Sequence, residues 1–89
     1  NNVGAENKYK GKMLLVTGTV YNIDKTFFLG TAYVNLMAGY VADGVTAYFS
    51  SEGKSQITNV SQGQTITVLG RCSVRSLGSA ILNDCVLVN

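Results

Sequence analysis

The run from Gln64 to Val88 restricts the fold of this chain more than any other stretch. It reads QTITVLGRCSV, RSLGSA and ILNDCVLV, two alternating apolar segments around a single sharp turn signal, Leu77-Gly78-Ser79-Ala80. Alternation at period two puts successive side chains on opposite faces of a strand. Gly followed by Ser suits a two-residue type II′ turn, because Gly accepts the positive φ required at the first central position. A long β-hairpin is therefore expected, and its register follows by counting outward from Gly78 and Ser79. Leu77 then faces Ala80, Val74 faces Asn83, and Cys72 faces Cys85. Ile66, Val68, Cys72 and Val74 form a core face with Ile81, Cys85 and Leu87 across from them. Thr65, Thr67, Leu69, Arg71, Ser73 and Arg75 point the other way, with Asp84 opposite Ser73.

The rest of the chain carries the same period. Met13 to Ile23 is a long strand with Leu14, Val16, Gly18 and Val20 on one face and Thr17, Thr19 and Tyr21 on the other. Ile23 breaks the alternation, which predicts a bulge near Tyr21-Asn22. Gly18 in mid-strand predicts a close backbone approach. A loop from Asp24 to Gly30 leads to a second strand, Thr31 to Met37, and Asp43-Gly44 punctuates the turn into a third, Val45 to Ser50. Ser51 to Gly63 is the one stretch without strand character, a short helix or helical turn with Ile57 and Val60 as its apolar contacts. Five strands with a connector between the third and fourth is the order of the OB-fold, a five-stranded Greek-key barrel of the all-β class. Asn1 to Asn7 is polar and reads as a lead-in, so the folded domain is expected over residues 8–89.

Composition narrows the function classes. Eighty-nine residues make one domain, and 46% hydrophobic content excludes disorder. A net charge of +2 with 13% charged residues does not announce nucleic-acid or membrane binding through charge alone. The chain has no His, and its carboxylates Glu6, Asp24, Asp43, Glu52 and Asp84 are scattered. That leaves no acid–base pair or triad to work with, so a non-enzymatic protein without a cofactor is expected. Two thiolates without His are too few ligands for a metal site. Two opposed cysteines suit a cross-strand disulfide, Cys72 to Cys85, in an oxidising compartment, which would add roughly 2–3 kcal/mol. A reduced buried pair is the alternative.

Several of these segments, KYKGKMLLVTGTV, VTAYF, QGQTITVLGRCS and LNDCVLV, together resemble the tRNA-anticodon-binding-like OB-fold family of small bacterial proteins. The resemblance extends from Lys8 to Val88 and includes Gly63-Gln64-Thr65-Ile66-Thr67-Val68-Leu69-Gly70, with Ile where that family's first Val would stand. Many members are exported or lipid-anchored. The resemblance thus implies an extracytoplasmic, periplasmic location. The chain begins Asn1-Asn2-Val3 without Met, which adds the expectation of an export signal or lipid anchor upstream.

In an OB barrel the usual ligand surface is the outer face of strands 2 and 3 with the flanking loops. Tyr33 and Tyr48 lie off the core alternation; if they pair, Asn35 pairs with Thr46. Two adjacent phenols make a platform for bases or sugar rings, or a cross-strand pair that only stabilises the sheet. Lys25 in the loop after strand 1, with Arg71 and Arg75 on strand 4, are the candidate phosphate contacts; Lys54 lies in the connector. The expected function is an exported OB-fold binding or interaction module, part of an envelope lipoprotein. Single-stranded nucleic-acid binding through strands 2 and 3, or packing on a partner protein, are the specific alternatives.

Overall fold

The computed structural model describes residues 11–24, 32–39, 44–76 and 79–88, with backbone alone at 74–76 and 79. Its elements are β1 (Met13–Asp24), β2 (Ala32–Met37), β3 (Val45–Phe49), a 3₁₀ helix (Gly53–Asn59), β4 (Thr65–Ser76) and β5 (Ser79–Leu87). The strands close into a barrel in the order β1-β2-β3-β5-β4. All neighbours are antiparallel except β3 and β5. This is the five-stranded OB topology that the strand order predicts.

Period-two alternation builds the interior. Val16 and Val20 from β1, Val34 and Leu36 from β2, Val45 and Ala47 from β3, and Ile66 and Val68 from β4 are all buried. β1 serves two neighbours, which its length allows: its first half pairs with β4 and its second with β2. The change of partner centres on Gly18. A Cβ there would lie 2.7 Å from the Met37 carbonyl oxygen and 3.1 Å from Leu36 Cβ, so only Gly lets the strands cross this closely. The expected β1 bulge is present, as a register shift between Val20 and Asn22.

The connector is a 3₁₀ helix that plugs the barrel with Ile57, while Val60 behind it is also buried. Ser55 donates to the Glu52 carbonyl (3.1 Å) and Thr58 to the Ser55 carbonyl (2.9 Å). Such side-chain bonds three residues back favour the tighter helix. Gln56 Oε1 accepts the Leu87 N–H at 2.8 Å, tying the helix to β5.

The hairpin departs from the counted register. Ser76 pairs with Ser79, Arg75 with Ala80, and Val74 with Ile81. Pairing is thus offset by two residues from the Leu77–Ala80 expectation, and Leu77 and Gly78 lie outside the described residues. Two irregularities follow, one between Cys72 and Val74 and one between Leu69 and Arg71. In the second, Asp84 takes φ 54°, the left-handed region that Asp tolerates better than most side chains. The result is that Cys72 faces Leu82, not Cys85. Leu82, absent from the predicted core, is completely buried, while Ile81 is half-buried. The expected disulfide is not formed: both cysteines are buried thiols. Cys85 instead sits against Gly70, where an added Cβ would overlap its Sγ. Burial, reinforced by the charge of Asp84, pushes the Cys85 thiol up to about 12.

Candidate functional site

The outer face of β2 and β3 is regular because the register between them is unbroken from Ala32–Phe49 to Leu36–Val45. With Ala32, Val34 and Leu36 turned fully inward, the alternate positions must face out. Tyr33 pairs with Tyr48, and Asn35 consequently with Thr46. The two phenol rings are 5.6 Å apart between centroids and tilted by 54°. Both are half-buried, so each is anchored at its base and open on its outer side. That spacing and tilt lie in the favourable range for an aromatic pair, and the tilt leaves an open ring face rather than a closed stack.

The next row is polar and connected. Asn22 Nδ2 donates to Asn35 Oδ1 at 3.0 Å, and Asn35 Nδ2 donates to Thr46 Oγ1 at 2.8 Å. A chain of amides and a hydroxyl therefore crosses three strands beside the tyrosines. Thr46 Oγ1 accepts from Asn35, and a hydroxyl that accepts can still donate its own O–H. Asn22 was not singled out from the sequence. Its position is a product of the bulge at Tyr21-Asn22, which aligns it with Asn35.

Carboxylates border the tyrosine row. Asp24 pairs with Tyr33 from the β1 side. On the β5 side Ala47 pairs with Leu82 and Phe49 with Cys85, so Asn83 and Asp84 together stand against Tyr48. Of the three expected phosphate contacts, only the Arg71 side chain lies among the described residues. Arg71 pairs with Met13 and Asn83, is separated from Tyr48 by β5, and donates from Nη1 to the Gly11 carbonyl at 2.8 Å. Lys54 is half-buried on the 3₁₀ helix. Lys25 and the Arg75 side chain lie outside the described residues.

Among the described residues, no group of three His, Cys, Asp or Glu side chains gathers to hold a metal ion, and no helix is long and apolar enough to cross a membrane. The exposed apolar residues Met13, Leu15 and Val88 lie on the opposite side. There Leu15 pairs with Leu69 and Leu69 with Val86.

A family model described as tRNA_anti-like matches residues 1–86. A crystal structure of a presumed nucleic acid-binding lipoprotein from Klebsiella pneumoniae subsp. pneumoniae is similar to the whole chain, with a TM-score of 0.78 and 23% identity, and the match covers 80% of that protein. At that identity the likeness establishes the shared fold. Neither description names a reaction. No curated protein matches the sequence.

Proposed function

This chain belongs to the tRNA_anti-like family, and we propose that it is a non-enzymatic module that binds single-stranded nucleic acid on the outer face of β2 and β3. Bases stack on Tyr33 and Tyr48, while Asn35 and Thr46 meet sugar or base edges. The observation that carries this reading is the half-open tyrosine pair set beside the Asn22–Asn35–Thr46 chain. Base–aromatic stacking tolerates any sequence because every base presents a π-face. Lys25, Arg71 and Arg75 remain the candidate phosphate contacts, with Arg71 set apart from the rings by β5. The similarity to a Klebsiella lipoprotein supports an envelope setting, with the module held outside the cytoplasm.

The test is a fluorescence titration of labelled mixed-sequence single-stranded DNA and RNA at low and high salt. We expect saturable binding with a shallow salt slope, because few cations among the described residues lie at the platform and each phosphate neutralised contributes about −0.7 to the slope for single strands. Tyr33→Ala and Tyr48→Ala each weaken binding by about 1–3 kcal/mol. Flat titrations at low salt, or unchanged affinity in both variants, would overturn the proposal. Flat titrations would favour a second reading, a domain that packs on a partner protein. That reading is supported by the exposed apolar strip of Met13, Leu15 and Val88, with Leu15 63% exposed.

A further inference from the structure

We infer that Tyr21 is a third stacking contact of the same surface, which makes the site a strip with aromatic rings at both ends. This rests on the nucleic-acid reading above. The outer positions of β3 run back from Tyr48 through Thr46 to Gly44, one step beyond the Leu36–Val45 pair. Those of β2 run from Tyr33 through Asn35 to Met37. The third row therefore has Met37, which is exposed, and a glycine with no side chain.

Tyr21 fills that vacant place from β1. A Cβ on Gly44 would lie 3.2 Å from the Tyr21 hydroxyl oxygen and 3.3 Å from Tyr21 Cε1. Gly44 itself is buried, although its neighbours in the alternation, Thr46 and Tyr48, are half open. The β1 register shift between Val20 and Asn22 is what aims the ring across β2. Gln62 Nε2 donates to the Tyr21 carbonyl at 2.9 Å and holds the bulge. Yet Tyr21 remains 44% exposed, far more than a ring serving only as a cover for Gly44 requires. From Gly44 to Tyr48 the strand rises about 13 Å, with the amide–hydroxyl row between. An extended strand of nucleotides crossing β2 and β3 in the direction of β3 would meet Tyr33 and Tyr48, then Asn35 and Thr46, then Tyr21.

Affinity should therefore depend on length. Oligothymidylates from about two to about sixteen nucleotides start below the span between the rings and cover the range of sites that OB barrels occupy. In the unaltered protein, affinity rises in a step once a strand reaches Tyr21 as well as the tyrosine pair. In Tyr21→Leu, the step falls by about 5- to 150-fold, while the shortest strand binds as before. Tyr21→Phe, which keeps the ring, retains the step, and thermal melts of both variants check folding. A step of full height in Tyr21→Leu, or a step lost equally in Tyr21→Phe, would overturn the role of Tyr21 while leaving the platform intact. Absence of binding to the unaltered protein at every length would overturn the platform and this extension together.

Discussion

Cys85 offers a test of the observed hairpin against the counted one. Its thiol is fully buried, sits beside Gly70, and has its pKa pushed from about 9 to about 12, first by burial and then by the neighbouring charge of Asp84. The folded protein therefore keeps this proton at a pH where the unfolded chain has released it. Unfolding becomes easier as the pH rises. The contribution is at most about 4 kcal/mol, complete below pH 9 and lost on the way to pH 12. About 2 kcal/mol of it is gone by about pH 10.5, a large fraction of the stability of a domain this small. Urea unfolding of the unaltered protein and of Cys85→Ala, measured in parallel from neutral to alkaline pH, isolates the effect. Other alkaline-titrating groups act alike in both, so the unaltered protein should lose about 2 kcal/mol more than the variant by about pH 10.5. Parallel curves would refute the reasoning. A disulfide would refute it more directly, by leaving no reactive thiol after unfolding without reductant. The structure instead requires two thiols, slow to label while folded and both labelled in urea.

Two further substitutions probe the same region. Leu82→Ala should cost about 2–5 kcal/mol and Ile81→Ala clearly less, since Leu82 is completely buried and Ile81 only half so; chemical unfolding that ranks them in reverse order would restore the counted register. Gly70→Ala should cost about 1–3 kcal/mol by crowding the Cys85 sulfur. Gly70→Ala with Cys85→Ala should recover part of that loss, and strictly additive costs in the double-mutant cycle would remove the contact.

The strands that could be read from the sequence are those that keep one phase throughout. β2 and β3 pair without a break, so alternation alone put Tyr33, Asn35, Thr46 and Tyr48 on the outer face, and the one supposition that the tyrosines pair carried Asn35 to Thr46. β1 was readable too, because Gly18 and the phase break at Ile23 each leave a mark on the alternation. The hairpin was not, for two physical reasons. Gly78 can serve either central place of a turn, and the wrong choice offsets every pair by two residues. The irregularity between Cys72 and Val74 then moves the inward position from Ile81 to Leu82, both of which are apolar and leave no trace of the change. Two cysteines that appear to face each other by counting were therefore separated by register rather than by chemistry.

The irregularities also shape the proposed surface, whose centre is regular while both margins are bulged. On one side the β1 bulge brings Asn22 into line with Asn35 and aims Tyr21 over Gly44. On the other, the β5 irregularity sets Asp84 in a left-handed conformation against Tyr48, and Asp24 mirrors it across Tyr33. A polyanion laid across the tyrosines thus meets carboxylate-bearing strands on either side, whose charge disfavours its phosphates. Arg71, turned to the Gly11 carbonyl beyond β5, does little to offset them. Binding at this face must then lean on ring stacking and on the neutral amide–hydroxyl chain more than on counterion release. Aromatic substitutions at Tyr33, Tyr48 and Tyr21 should accordingly outweigh substitution of Arg71, the reverse of the order expected for a barrel that grips its strand by charge.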